Sequence, residues 1–198
     1  MGLRTILTNE VSWYSKERVT TSRQEAQWVL RAQCDDRDAL ESLLRGIQPS
    51  LRRFIAGVVG ASHADDVLQE TFVIVSRKLK SVHTPELFRP WVYRIASREA
   101  FRHLKRERRW SDHTVQELEP DDLPAQNARP PAELLGELLS LDEVSPASRA
   151  VLVLHFHEEL TLVEIAAILE LPLGTVKSRL AYSLSAIRKR LSQKKGDS

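Results

Sequence analysis

The sequence predicts an all-α protein of two small helical domains, and three observations carry that expectation. Apolar residues recur at three- and four-residue spacing from about Gln24 to Trp110, with no alternating strand pattern and few glycines. A polar, acidic, proline-bearing stretch, "SDHTVQELEPDDLPAQNARPP" (111–131), then breaks the periodicity. From Pro131 onward helical spacing resumes in four segments: "PAELLGELL", "SPASRAVLVLHF", "TLVEIAAIL" and "GTVKSRLAYSLSAIRKRL". The expected organisation is an N-terminal extension (1–23), a helical bundle (24–110), a flexible acidic linker (111–130) and a second helical domain (131–198).

Bulk composition narrows the class. Of 198 residues, 42% are hydrophobic, enough to pack one or two cores. The 29 basic and 27 acidic residues nearly cancel, so their placement says more than the net charge of +2. Cys34 is the single cysteine, which excludes an internal disulfide or a multi-cysteine zinc site and fits a reducing cytoplasm, the expected location. No apolar run approaches the roughly 20 residues that a bilayer requires, so no membrane insertion is expected. The opening "MGLRTILTNEVSWYSKERVTTS" has no continuous apolar stretch before a small-residue cleavage site and is not read as a signal peptide. It reads as a loosely ordered extension in which Trp13 and Tyr14 are candidates for docking on a partner.

Within the first domain, breaks are expected near Pro49, at Gly60 to His63 and across Thr84 to Pro90. In "HADDVLQETFVIVSRKL", Val67, Thr71, Val75 and Leu79 form one i, i+4 row with Leu68 and Phe72 beside it. Asp65, Asp66, Gln69 and Glu70 then face away from that row. Such a surface repels DNA and suits a protein partner, although acids in a first turn are also what the helix dipole favours. The helix "FRPWVYRIASREAFRHLKRERRW" (88–110) is the opposite case. Arg94, Arg98, Arg102, Lys105 and Arg109 fall within a narrow arc, away from the row Val92, Ala96, Ala100 and Leu104. Cations so crowded repel by roughly a few tenths of a kcal/mol per close pair, which makes sense if a polyanion neutralises them. A merely solvated basic face is the alternative. Trp91 and Tyr93 read as core or as base-stacking platforms, and Trp110 is undecided.

In the second domain, Thr161 followed by Glu164 is a capping-box pattern. Leu162, Ile165, Ala166 and Leu169 give the helix an apolar face, and Pro172 forces a short turn through Glu170 and Leu171. Gly174 and Thr175 open a second helix, with Val176, Leu180, Leu184, Ile187 and Leu191 on one side and Thr175, Ser178, Tyr182 and Lys189 on the other. This is helix-turn-helix geometry, in which the first residues of the second helix enter the major groove. Thr175, Lys177, Ser178, Arg179 and Tyr182 are the candidate DNA contacts, with Arg179 open to a guanine or a phosphate. A three-helix packing unit with a wet basic face is the alternative.

Three separated motifs resemble the extracytoplasmic-function (group IV) sigma factors of bacterial RNA polymerase: "ADDVLQETF" (64–72), "FRPWVYRIA" (88–96) and "LTLVEIAAILELPLGTVKSRL" (160–180). The likeness runs in order from about residue 24 to 191. It implies an alternative sigma factor whose region 2 (24–110) docks on the clamp of core RNA polymerase through Asp65, Asp66, Gln69 and Glu70. It implies that the loop Lys80 to Pro90, with Arg94, Arg98, Arg102, Lys105 and Arg109, holds the melted non-template strand of a −10 element. Region 4 (131–198) would read a −35 duplex through Thr175, Lys177, Ser178, Arg179 and Tyr182, and contact the polymerase flap. The linker would thread the polymerase's channels, and an anti-sigma factor is an expected partner. Arg98, Arg102, Tyr182 and Leu184 depart from the residues common in that family, as do His155 and His157, and leave the promoter sequence open.

No nucleophile–base pair, glycine-rich phosphate loop or carboxylate constellation is evident, so neither catalysis nor a cofactor or metal is expected. Two other readings compete: a self-sufficient DNA-binding regulator, which leaves the acidic helix unexplained, and a polymerase-binding modulator that no longer reads promoters.

Overall fold

The computed structural model describes residues 23–110 and 144–196, with side chains described as far as Glu107 and Ile187 in the two segments. The extension, the linker, the "PAELLGELL" segment and the side chains of Arg109, Lys189 and Leu191 lie outside the described residues. Among the described residues every regular element is helical. The first half holds α1 (Arg23–Gln33), α2 (Arg37–Val59), α3 (Ala64–Lys78) and α4 (Phe88–Trp110). The second holds α5 (Pro146–Phe156), α6 (Leu162–Leu169) and α7 (Leu173–Gly196).

Asp36 caps α2. Its carboxylate accepts from the Ala39 amide at 3.0 Å and from Arg31 Nε at 2.8 Å, and the amide bond first, then the guanidinium, holds its carboxyl below the usual range. A lowered folded value means that this cap stabilises at neutral pH and is lost as pH falls through that value. The expected break near Pro49 does not occur, because α2 runs unbroken from Arg37 to Val59. Leu43, Ile47, Leu51, Phe54 and Ile55 form one buried stripe that continues past the proline. Pro49 and Arg45 sit on the exposed side, so the Arg45 carbonyl that loses its helical donor is free to bond water. The sequence sets a local breaker against a long apolar stripe, and the stripe wins. Gly60, at φ 91°, then ends α2 in a conformation that favours glycine.

In α3, Val67, Thr71 and Val75 are buried as the i, i+4 row requires, and Leu79, just past its end, is buried with them. Two single 3-10 turns, Leu79–Ser81 and Pro85–Leu87, lead into α4, so the expected break ends at Leu87 and Pro90 falls inside the first turn of α4. An N-terminal turn tolerates proline because its amides have no partner within the helix. Val92, Ala96 and Ala100 are fully buried. Tyr93 is 1% exposed and packs edge-on against Phe54 at 5.5 Å, which makes it core rather than a stacking platform. Burial, and then the nearby charge of Glu158, push its phenol far above the ordinary range.

Both ends of α1 are tied to the segment between α3 and α4. Gln33 donates to the carbonyls of Leu79 and Val82 at 3.0 and 2.7 Å. Near the start of the helix, the buried Glu25 carboxylate takes the Arg89 guanidinium in a forked pair, with Nη2 to Oε1 at 2.6 Å.

The second half folds as its pattern demands. Ser145 caps α5 through the Ser148 amide, with Pro146 in the first turn. Thr161 and Glu164 form a complete capping box: the Thr161 hydroxyl accepts from the Glu164 amide at 3.3 Å, and Glu164 Oε2 accepts from the Thr161 amide at 2.7 Å. Glu170 ends α6 in the left-handed region, and α7 follows within three residues. Val144, Leu152, Phe156 and Ile187, with Leu180 and Leu184 beside them, lock α5 to α7.

The two halves do not stand apart. Val29, Leu43, Phe54, Val58 and Ala96 belong to one continuous apolar core with Ala150, Val151, Leu154, Ile165 and Val176. α2 packs against α5, and α4 against α6.

Thr161→Ala removes the cap oxygen and is expected to lower stability by about 1 kcal/mol, whereas Thr161→Ser keeps it. Urea unfolding midpoints of the two variants check this; equal midpoints would show that the box contributes nothing.

Candidate polymerase and nucleic-acid interfaces

Three surfaces gather the residues singled out from the sequence. The first is the outer face of α3. Asp65, Asp66 and Gln69 are exposed there, while Glu70 is half-buried. Asp65 receives Arg52 in a forked pair at 2.7 and 3.0 Å, which holds its carboxyl below the usual carboxylate range. Glu70 receives Arg106 of α4 at 3.2 Å. The acidic face is therefore partly neutralised, with Asp66 and Gln69 at its open centre and exposed Val73 one turn further along.

The second surface is the cationic arc of α4. Arg98, Arg102 and Lys105 are exposed and Arg94 is half-buried. Arg102 is held by Glu99 at 2.5 Å, a carboxylate almost wholly buried on the same helix one turn earlier. Arg94 donates to the Ala167 carbonyl of α6 at 2.9 Å, and Arg98 forms a forked pair with Glu170 at 3.2 and 2.6 Å. The arc is real, yet its N-terminal part faces the second half of the chain rather than water. Glu99, three residues before Arg102, is legible as a helical pair. Glu170 and Ala167 are not, since they lie 72 and 73 residues from their arginines. Trp91 is half-buried and packs near Phe88, with ring centroids 6.3 Å apart.

The third surface is the start of α7. Lys177 and Tyr182 are exposed, and Thr175, Ser178 and Arg179 are half-exposed. Val176 and Ile187 are buried and Leu180 and Leu184 half-buried on the opposite side, so the helix is turned as its periodicity requires. Ser178 returns its hydroxyl to the Thr175 carbonyl at 3.1 Å, and buried Ser183 does the same to Arg179 at 2.8 Å. His155 donates from Nδ1 to the Leu160 carbonyl, 2.9 Å away, and so braces the loop ahead of the helix-turn-helix.

A helical bundle with one acidic and one basic flank, joined to a helix-turn-helix with an open recognition face, defines a DNA-binding protein of the transcription-factor class. The profile of sigma-70 region 2 matches residues 43–110, and that of sigma-70 region 4 matches residues 140–189. The RNA polymerase sigma-H factor of Pseudomonas aeruginosa is 30% identical over 184 residues, spanning 86% of this chain and 95% of that protein. The ECF RNA polymerase sigma-E factor of Escherichia coli K12 is 29% identical over 171 residues, 80% of this chain and 90% of its own length. Two solved structures share the fold. CnrH in complex with the cytosolic domain of CnrY has a TM-score of 0.58 at 21% identity, covering 86% of this chain and 98% of CnrH. The sigma factor RpoE of Bartonella quintana, solved with the anti-sigma factor NepR, has a TM-score of 0.60 at 22% identity, covering 77% and 96%. The chain belongs to the sigma-70 family, among its extracytoplasmic-function sigma factors. Its function is that of an alternative sigma factor in promoter-specific transcription initiation by RNA polymerase.

Proposed function

We propose that the first half of the chain (24–110) is the unit that grips both core polymerase and melted −10 DNA, and the second (131–198) the unit that reads a −35 duplex. Asp65, Asp66, Gln69 and Glu70 would meet the polymerase clamp, and the exposure of Asp66 and Gln69 beside Val73 supports that role. Arg94, Arg98, Arg102, Lys105 and Arg109 would meet the unpaired strand, where cations neutralise phosphates at a salt-dependent gain. Thr175, Lys177, Ser178, Arg179 and Tyr182 would enter the major groove. The observation that carries this reading is the division of charge within one bundle, acidic on the outer face of α3 and cationic along α4, with the start of α7 open to solvent.

In this reading the chain does no chemistry itself: contacts to duplex and polymerase offset the cost of unpairing, and the polymerase makes the transcript. It works in the cytoplasm. Among the described residues no helix is long and apolar enough to cross a membrane. The relatives solved with CnrY and NepR support an anti-sigma partner for this chain as well. Run-off transcription with purified core enzyme tests the whole reading, because core binding without a transcript from any genomic promoter would leave only a modulator.

Asp66→Arg with Glu70→Arg is expected to weaken core binding at least about tenfold while the fold is kept, since like charges would then face the partner's surface. Competition for core polymerase measures it, and unchanged affinity would remove the clamp assignment. Arg98→Ala with Arg102→Ala should lower the slope of log affinity against log salt by about 2 and reduce open-complex formation. Permanganate footprints matching wild type would count against the arc. Arg179→Ala should cost about 1–3 kcal/mol on one duplex sequence if it reads a guanine. Uniform weakening across sequences would assign it to a phosphate.

A further inference from the structure

One cation of the α4 arc is tied differently from its neighbours. Arg94 and Arg98 end on the second half of the chain, at the Ala167 carbonyl and the Glu170 carboxylate. Arg102 instead meets Glu99 of its own helix, Nη1 to Oε2 at 2.5 Å. The two members of this pair lie in opposite surroundings, with the Glu99 side chain 4% exposed and that of Arg102 60% exposed.

Packing alone does not call for a carboxylate at this position. Ile95, Ala96 and His103, one turn to either side of Glu99, are buried as it is, and an apolar side chain would fill the site without the cost of burying a charge. Among the described residues the hydrogen bond of Glu99 is to Arg102. A buried carboxylate is strongly unfavourable without a partner, so the guanidinium is held to it. That bond uses Nη1. Nε and Nη2, the edge that can fork onto two acceptors at once, have no partner among the described residues.

Two consequences for recognition follow from this pairing. The rotamer freedom that an unpaired surface arginine gives up on binding is here given up on folding, so its remaining donors meet a strand already oriented. The carboxylate beside them also repels a phosphate more than it repels the neutral edge of a base, which favours directional hydrogen bonding over charge attraction.

We propose that Glu99 is a positioning residue for base selection: it holds Arg102 so that the Nε–Nη2 edge reads a base with two adjacent acceptors, guanine through O6 and N7, at one position of the melted strand. The inference rests on the assignment of the α4 arc to that strand.

The test uses the full chain bound to core polymerase, on a genomic promoter that the wild-type holoenzyme transcribes, randomised and barcoded over the melted segment. Counting barcodes among the transcripts gives the base preference at each position. The variants are Glu99→Gln, Glu99→Leu, Arg102→Lys and Arg102→Ala, each checked for helical content by circular dichroism. Glutamine keeps the shape of the side chain, and leucine places a strong helix former at a buried site, so the bundle does not depend on one replacement. The wild-type holoenzyme is expected to favour guanine at one position by at least about fivefold. Both Glu99 variants should reduce that preference to within about twofold, while total transcript from the pool stays within about threefold of wild type. Arg102→Lys should do the same, because an ammonium keeps the charge and loses the fork. A wild type without the guanine preference, or a folded Glu99 variant that retains it, would overturn the positioning role. Equal loss of transcription on every sequence would also overturn it, since that marks a carboxylate needed only for structure. If Arg102→Ala changes neither yield nor preference, the strand assignment of the arc is what fails.

Discussion

The apolar seam between α2 and α4 on one side and α5 and α6 on the other is the constraint under which the rest of the molecule operates. A fully buried Val, Leu or Phe contributes about 1.5–3 kcal/mol, whereas a half-exposed ion pair contributes about 0–1 kcal/mol. Val58, Ala96, Val151, Leu154 and Ile165 are all fully buried within the common core. Closure is therefore driven by exclusion of water, and the polar ties at Arg94, Arg98 and Arg149 fix which residues meet rather than how tightly. While that core is intact, α4 and α7 cannot move independently of one another.

The same magnitudes explain what was legible in the sequence. The helix-turn-helix was readable because each of its signals is local: the Thr161–Glu164 box, the apolar face, the Pro172 stop and the periodicity of α7 all act within about a turn of themselves. The burial of Val67, Thr71 and Val75 in α3 was readable for the same reason. Pro49 misled because a breaker is local while the stripe from Leu43 to Ile55 that overrides it is tertiary. The family motifs named the three surfaces, yet nothing in the spacing places Glu170 on Arg98. That pair depends on how two apolar faces dock, and docking has no period.

Charge along α4 is balanced more finely than its sequence suggests. Glu99 is buried beside Arg102, so one cation of the arc has an anionic neighbour on its own helix. Glu70 draws Arg106 toward the acidic face of α3, bridging the two flanks. Asp66 on α3 and Lys105 on α4 are among the exposed charges of the described residues that these pairs leave open.

The clasp between Glu25 and Arg89 has a bearing on where this protein begins to be a protein. The stretch that matches region 2 starts at residue 43, but Val29, Ala39 and the Gln33 amide that ties the Leu79 and Val82 carbonyls all lie before it. Trimming the chain to the recognisable motif would strip a helix from the bundle's flank and take away the carboxylate that Arg89 clasps at the entrance to α4. The smallest piece able to hold α4 in position starts at α1, some twenty residues ahead of the start of the region 2 match.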